Sequence, residues 1–304
     1  LTESRIIWEY IRLILFPVLP SFGLYHDDFA ISTGLLEPKT TLPALLGLLS
    51  IFVLIWITRI RFPLVSFGIL WFVVGHSLES TIFPLELMHE HRNYLPSLGV
   101  LVAGVGLLHS LYRLGGGFRI SSITVTIAFF SYFALLTHFR SDMYGADFRR
   151  TQIEAEYRKD SVRAQYEAGA LLVNYYASQP NQVMASFAEK YFQRVNALDS
   201  TYKLALIGQL QLDCLSEKKA RPEIVGELRD RLAGSKWVPL DRAVMHGVAE
   251  MSNVGTICLS REQVDELFAV AIGNQSTTIQ DRSVVRSDYA LYLWKGQEDY
   301  SATR

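Results

Sequence analysis

One short segment of this chain concentrates ionisable side chains between two long apolar runs. It lies between residues 75 and 96 and holds His76, Glu79, Glu86, His89, Glu90, His91, Arg92 and Tyr94. Charged groups are costly to place at a bilayer boundary, so a dense group there indicates chemistry, ion passage or headgroup binding. This mixture of acids, imidazoles and a guanidinium can hold a phosphate, orient a hydroxyl or bind a metal.

The spacing within the segment leaves two kinds of site open. If residues 86–91 are helical, Glu86 and Glu90 share a face, and His89 follows Glu86 by one turn. The Glu-x-x-His spacing binds metals in helical bundles, and the same pair can also be an acid held by a neutral imidazole. Arg92 adds a planar cation suited to phosphate or pyrophosphate. The alternative is a solvated interfacial loop in which Tyr94 belongs to an aromatic belt.

Two further polar groups accompany this segment. His76 and Glu79 are one helical turn apart, and they either face water or contact a ligand beneath Arg92. His26, Asp27 and Asp28 follow the prolines at 17 and 20. Because adjacent side chains point in different directions, the two aspartates do not form a close dyad. One of them either caps the next turn or binds a sugar hydroxyl or a metal.

Four apolar runs approach the roughly 20 residues that a helix needs to cross a bilayer. They are Leu42–Thr58, Phe62–Ser77, Leu95–Tyr112 and Ile120–Thr137. Each is predicted to be helical, since lipid leaves backbone groups no other partner. Residues 1–41 contain an amphipathic helix from Arg5 to Phe16, too charged to span, which predicts an interfacial or re-entrant segment.

Basic short loops set the expected orientation of these runs. Arg59 and Arg61 join the first two, and Arg113 and Arg119 flank the triglycine between the last two. Such loops are typically cytoplasmic. The ionisable segment, residues 1–41 and everything after His138 are therefore predicted on the non-cytoplasmic face.

From residue 139 onward the sequence becomes mixed and charged, with helical spacing throughout. One long helix is predicted over Gln152–Ala177, followed by shorter helices. Ala164, Gly169, Ala188 and Phe192 loosely match a tetratricopeptide (TPR) unit. We therefore predict an all-α chain with three parts: an outer segment (1–41), a polytopic helical membrane domain (42–138) and a TPR-like helical domain (139–304).

Composition limits the partners. The formal net charge is −1 and the basic residues form no stripe, so no nucleic-acid partner is expected. The two cysteines, Cys214 and Cys258, pair if this half lies in an oxidising compartment, and two buried thiols are the equal alternative. The chain begins at Leu1 within an established pattern, which predicts the C-terminal portion of a longer membrane protein.

Two stretches resemble the transmembrane and tetratricopeptide-repeat O-mannosyltransferase-like family, in particular its bacterial branch. The first runs Arg5-Ile6-Ile7-Trp8-Glu9-Tyr10-Ile11-Arg12-Leu13, then Pro17, then Leu24-Tyr25-His26-Asp27-Asp28-Phe29. The second, more specific stretch is Glu90-His91-Arg92-Asn93-Tyr94-Leu95-Pro96-Ser97-Leu98-Gly99, which is similar to the family's signature at the opening of a span.

The resemblance implies a GT-C class glycosyltransferase of the bacterial inner membrane. Such an enzyme moves a sugar from a polyprenyl-phosphate carrier to an acceptor at the non-cytoplasmic face. It implies carrier binding by Arg92 with His89 or His91, positioning of sugar or acceptor by Asp27 or Asp28, a protein acceptor or partner on the TPR-like domain, and a catalytic carboxylate upstream of Leu1.

Two other functions remain open at this stage. One is a non-enzymatic membrane scaffold whose TPR-like domain docks protein partners. The other is a metalloenzyme that holds a divalent metal through Glu86, His89 and His91. The glycosyltransferase and scaffold hypotheses do not require a cofactor, and only the metalloenzyme hypothesis requires a divalent metal.

Overall fold

The computed structural model describes residues 1–77 and 88–302, with side chains up to residue 296. This part of the chain is all-helical, as predicted. Its α-helices are α1 (Thr2–Leu15), α2 (Thr41–Thr58), α3 (Pro63–Ser77), α4 (Tyr94–Arg113), α5 (Gly116–Tyr144), α6 (Asp147–Tyr157), α7 (Val162–Ser178), α8 (Gln182–Leu198), α9 (Leu204–Glu217), α10 (Pro222–Gly234), α11 (Leu240–Asn253), α12 (Arg261–Gly273) and α13 (Ile279–Ala302). Short 3-10 turns cover Leu19–Ser21 and Glu90–Asn93.

The helices group into two compact units, Leu1–Tyr157 and Arg158–Arg304. The first unit contains α1 to α6, so the helix after the last apolar run belongs with the apolar helices. The second contains α7 to α13.

Three helices in the described chain are long and apolar enough to cross a membrane: Thr41–Thr58, Glu90–Arg113 (which takes in the 3-10 turn before α4) and Gly116–Tyr144. Only 17%, 17% and 6% of their apolar windows are buried within the protein, so most of this apolar surface faces outward. α3 is apolar but has 15 residues, and the predicted count of four spans stays a prediction.

α3 and α4 pack so closely that their backbones nearly touch. An added methyl group at Gly68 would meet the carbonyl oxygen of Gly99, and would lie 2.6 Å from the backbone nitrogen of Ala103. One at Gly75 would lie 2.9 Å from Cγ of Pro96. Small residues at such crossings are typical of helix pairs in membranes, where dispersion contacts replace the hydrophobic effect.

The predicted amphipathic first helix is confirmed as α1. Its buried side chains, including Ile6, Tyr10 and Leu13, form a small core with Phe72 of α3 and Met88. Its apolar face is thus covered by the protein's own side chains. Whether α1 also touches the membrane interface stays a prediction.

Two helix boundaries differ from the sequence expectation. α5 continues seven residues beyond Thr137 to Tyr144, although the composition becomes polar there. The single helix predicted over Gln152–Ala177 is wrong, because α6 ends at Tyr157 and α7 begins at Val162. The break has a local cause: the side chain of Ser161 accepts a hydrogen bond from the backbone nitrogen of Ala164 at 3.0 Å and so caps α7.

In the second unit, alternate helices pack side by side. α9 contacts α7 and α11, α13 contacts α11, and α12 contacts α10. One apolar core centres on Phe192 of α8, and a larger one lies among α9 to α13 around Phe268. Whether these helices form TPR-like repeats stays a prediction.

Two cross-links hold the second unit together. Nζ of Lys203 lies 2.9 and 3.0 Å from the carboxylate oxygens of Asp241, and both side chains are 1% exposed. Cys214 and Cys258 form a disulfide, with Cα atoms 5.2 Å apart. The sequence had left open whether they pair.

Candidate functional site

The first unit contains a cavity of about 570 Å³ at the end of α5 remote from the triglycine turn. Its wall is formed by the loop after Phe22, the 3-10 turn before α4, and the last two turns of α5. The lining residues are Gly23, Leu24, His89, Glu90, His91, Thr137, Arg140, Ser141 and Tyr144. Three side chains expected from the sequence to bind a substrate, His89, Glu90 and His91, therefore share one cavity.

Glu90 is the hub of this site. Its Oε1 accepts a hydrogen bond from the backbone nitrogen of Gly23 at 2.8 Å, and its Oε2 accepts one from Nη2 of Arg140 at 2.8 Å. Nε2 of the buried His26 lies 3.6 Å from Oε1. Glu90 thus joins three segments that are distant in sequence, and its charge is matched by one guanidinium.

Arg140 lies between two aromatic rings. Its guanidinium carbon is 4.3 Å from the centroid of Phe22 and 5.3 Å from that of Tyr144. Nη1 of Arg140 is inaccessible to solvent and has no acceptor among the residues that the structure describes. A buried guanidinium nitrogen without an acceptor is costly, so Arg140 retains capacity for one more anionic partner.

Glu154 of α6 holds the loop that carries Gly23. Oε1 of Glu154 accepts hydrogen bonds from the backbone nitrogens of Leu24 and Tyr25, the latter at 3.2 Å. Oε2 accepts one from Nη1 of Arg150 at 3.3 Å. Glu154 is 5% exposed. A buried carboxylate therefore determines where the Gly23 amide meets Glu90.

His89 is held through its backbone. The hydroxyl of Tyr10 donates to the carbonyl of His89 and accepts from its amide, both at 3.0 Å. The imidazoles of His89 and His91 lie 5.0 Å apart, centroid to centroid. His91 is exposed and His89 is partly buried. Both rings are thus presented at the cavity wall by a fixed backbone.

His76 lies in the core of the first unit and is not in contact with the cavity. It is 2% exposed and stacks on Tyr10 at 5.0 Å, with the edge of Phe72 at 4.7 Å. Its Nε2 is 3.2 Å from Oδ1 of Asn93. These contacts join α1, α3 and the turn before α4, so His76 supports the site from within the core rather than lining the cavity.

The remaining predicted site residues are spread around the cavity. Arg92 is partly buried in the 3-10 turn and does not line the cavity, and Tyr94 is 85% exposed at the start of α4. Asp27 and Asp28 are exposed in the loop after His26. Glu79 and Glu86 lie outside the described residues.

The metal hypothesis gains no support from the described part of the chain. Within residues 1–77 and 88–302, no group of three histidine, cysteine or acidic side chains is placed to hold a metal ion. Glu86, one of the three proposed ligands, is outside that part.

Sequence reasoning missed Arg140, Tyr144, Glu154 and Arg150. Because Arg140 follows the last apolar run, composition alone assigns it to the polar half. Its position just after that run could have indicated a role at the membrane surface, since a helix that continues past its apolar run carries such residues into the headgroup layer. Nothing in the local sequence marks Glu154, whose role depends on a loop about 130 residues earlier.

Comparisons with known proteins returned no relatives. No family model matches the chain, and no curated protein and no solved structure is significantly similar to it. The geometry of the cavity and the sequence resemblance are therefore the basis for a functional proposal.

Proposed function

We propose that this chain is the carrier-binding part of a GT-C type glycosyltransferase, which moves a sugar from a polyprenyl-phosphate carrier to an acceptor at the non-cytoplasmic membrane face. The single observation that supports this most is Arg140, which lines the cavity, is held by Glu90 and has a buried nitrogen with no acceptor among residues 1–77 and 88–302.

The chemistry of sugar transfer requires such a group. When the glycosidic bond breaks, the carrier phosphate leaves with an increased negative charge, and a fixed cation stabilises that charge. Arg140 supplies a planar guanidinium, and its orientation is set by Glu90 and two aromatic rings. In this proposal Arg140 contacts the phosphate directly, and His89 and His91 add further donors beside it.

The position of Arg140 along α5 fits the level in the bilayer at which a carrier phosphate lies. α5 is long enough to cross the hydrocarbon core, and the roughly 24 residue-to-residue steps from Gly116 to Arg140 span about 36 Å at 1.5 Å per step. The hydrocarbon core is about 30 Å thick. If the triglycine turn lies at one surface, Arg140 lies just beyond the apolar layer at the other, where lipid phosphates are found.

The second unit supports an extracytoplasmic placement. A disulfide joins Cys214 and Cys258, and disulfides persist in oxidising compartments such as the bacterial periplasm. The orientation expected from Arg59, Arg61, Arg113 and Arg119 also supports an extracytoplasmic position for that unit. We propose a bacterial inner-membrane location on these two grounds.

The described carboxylates near the cavity have structural partners, and we assign none of them as the catalytic base. Glu90 is bound to Arg140 and Gly23, and Glu154 is bound to the loop and Arg150. In the proposal these acids position the site, and the exposed Asp27 and Asp28 contact sugar or acceptor hydroxyls.

A second candidate function rests on the second unit. Alternate helices of this unit pack side by side, and on that basis we propose that a TPR-like surface there binds the protein acceptor. In a non-enzymatic scaffold the same surface would bind a partner and the cavity would serve no reaction. The two proposals differ in what they require of Arg140.

A complementation experiment separates them. A strain lacking the protein receives the complete protein as wild type, Arg140→Lys or the matched surface control Arg149→Gln, and glycans on extracytoplasmic proteins are measured by mass spectrometry. Glycosyl transfer predicts loss of a glycan with Arg140→Lys at normal protein levels, while Arg149→Gln, whose partner Asp142 is exposed, restores it. Unchanged glycans with retained partner binding would favour the scaffold.

A further inference from the structure

A second cavity, of about 430 Å³, lies between α1 and the first turn of α2. It shares no lining residue with the cavity at Glu90 and Arg140. Its walls include Arg5, Trp8, Glu9, Arg12, Phe29 and Pro43. The size is in the range of pockets that hold small ligands, and none of these residues is used in the proposed transfer reaction.

The charged side chains of this cavity leave one net positive charge. Oε2 of Glu9 lies 2.8 Å from Nε of Arg12, and Nη2 of Arg12 also donates to Glu9 and to Ser21, so this pair is neutral. Arg5 has no carboxylate partner in the described chain: it donates to Thr40, Ala30 and Ser32, at 2.8, 2.5 and 3.5 Å. Two guanidinium groups and one carboxylate therefore favour a ligand with a single negative charge.

Arg5 and Arg12 each have a guanidinium nitrogen that none of these hydrogen bonds uses. The hydrogen bonds of Arg5 use Nε and Nη1, and those of Arg12 use Nε and Nη2. Nη2 of Arg5 and Nη1 of Arg12 make none with the residues that the structure describes. The two residues are seven positions apart on α1, about 10 Å along the axis, so they flank the cavity from opposite ends.

The aromatic walls are fixed in place. The guanidinium of Arg5 lies 4.8 Å from the centroid of Phe29. Nε1 of Trp8 donates to the carbonyl of Ala44 at 3.0 Å, which ties the indole to α2. The cavity is thus a rigid, partly apolar recess with cations at its rim.

An exposed apolar stripe continues from this cavity along α2. Leu46 is 57% exposed, Leu54 45% and Ile57 67%, and helical spacing places them on the same face as Pro43. A headgroup in the cavity would have its acyl chains laid along this stripe, in the direction of the hydrocarbon core. Neither inorganic phosphate nor a soluble sugar phosphate would use the stripe.

We propose that this cavity binds the phosphodiester of a membrane phospholipid, with the phosphate between Arg5 and Arg12 and an acyl chain on the Pro43–Ile57 stripe. A phosphodiester carries one negative charge, which equals the net charge of the walls with opposite sign. The proposal shares with the proposed function only the premise that α2 crosses the membrane, and it requires no glycosyl transfer.

Native mass spectrometry of the complete protein in detergent tests this proposal with dioctanoyl-phosphatidylglycerol as the probe. We expect one bound lipid at the cavity. Arg12→Gln lowers its affinity about tenfold, the value of one charge-assisted hydrogen bond. Arg12→Lys retains most of it. Arg59→Gln, at the other end of α2, leaves it unchanged.

Two further arms separate a lipid site from a free-anion site. Leu46→Ala shortens an exposed side chain without placing a charge in the apolar layer, so it leaves the fold intact and weakens lipid binding through the stripe. Glycerophosphoglycerol and inorganic phosphate compete weakly, since they lack acyl chains. Equal affinity in the wild type and Arg12→Gln, or competition by inorganic phosphate as strong as that of the lipid, would overturn the proposal whatever the outcome of the transfer assay.

Discussion

Nη2 of Arg140 donates to Oε2 of Glu90 across 2.8 Å, and this contact joins the last turn but one of α5 to the turn that opens α4. The two side chains are 27% and 21% exposed, so the pair is shielded but accessible from the cavity. This contact sets the position of Arg140. Apart from the histidines, Arg140 is the only cationic side chain among the described residues that line the cavity of about 570 Å³.

Glu154 is expected to be required for the geometry of that pair. Glu154→Gln removes the charge that balances Arg150 and weakens the hydrogen bonds to the amides of Leu24 and Tyr25. We expect a loss of about 2–3 kcal/mol in the free energy of unfolding, as for hydrogen bonds to charged groups. Thermal unfolding in detergent measures it, with Arg149→Gln on the same helix as the control, because the pair of Arg149 with Asp142 is exposed. Equal stability of the two variants would contradict the role of Glu154.

The buried pair in the second unit makes a separate stability prediction. Lys203→Met leaves the carboxylate of Asp241 buried without its cation, and this should cost about 3–5 kcal/mol. Lys219→Met, at an exposed position, should cost little. Adding Asp241→Asn to Lys203→Met should recover more than half of the loss, because the amide still accepts the hydrogen bond from Val238. Hydrogen exchange of α9 in the complete protein measures the three variants.

No recovery in the double variant would show that the loss comes from packing of the lysine chain rather than from an uncompensated charge.

The disulfide gives a prediction on compartment and stability together. It closes a loop between positions 44 residues apart, and chain entropy predicts that reduction costs about 4 kcal/mol. In intact cells Cys214 and Cys258 should resist alkylation until a reductant is added, as judged by mass shift on a gel. Two thiols that react in untreated cells would argue against the extracytoplasmic placement.

Acid should destabilise the second unit through Glu189. Burial acts to raise the pKa of this carboxyl, but hydrogen bonds from Arg221 and Gln209, and then the charge of Arg221, outweigh burial and lower the pKa below its ordinary value. A lowered folded-state pKa contributes stability that is present above the ordinary value, about 4.3, and is lost as pH falls through the folded value. The free energy of unfolding should therefore decrease below about pH 4.3.

Glu189→Gln should flatten this acid-side slope, whereas Glu217→Gln, at an exposed position, should leave it unchanged. Chemical unfolding followed at several pH values provides the comparison. A slope that persists in Glu189→Gln would assign the acid sensitivity to other carboxyls.

The sequence predicted the helices of this protein better than their ends. Amphipathic spacing was enough for α1, and long apolar runs were enough for α2, α4 and α5. The extension of α5 to Tyr144 was missed because Arg140 in that extension has its partner, Glu90, elsewhere in the chain. The break before α7 was missed although its cap at Ser161 is local.

The site was predictable only in part for the same reason. The turn at His89, Glu90 and His91 is local and stands out as a cluster of ionisable residues. Arg140 and Glu154 reach that turn or its supporting loop from about 50 and 130 residues away, and no periodicity records a contact of that kind. The placement of His76 in the core also follows from packing on Tyr10 and Phe72 rather than from its position near the cluster.

The proposal that Arg140 binds the carrier phosphate can be tested by measuring how tightly the complete protein in nanodiscs binds a polyprenyl phosphate. The wild type is compared with Arg140→Lys and Arg149→Gln. The account predicts that Arg140→Lys weakens binding about tenfold or more, since a planar guanidinium held by Glu90 is replaced by a flexible ammonium, while Arg149→Gln binds as the wild type does. Undiminished binding by a folded Arg140→Lys protein would contradict the assignment of this cavity to the carrier phosphate.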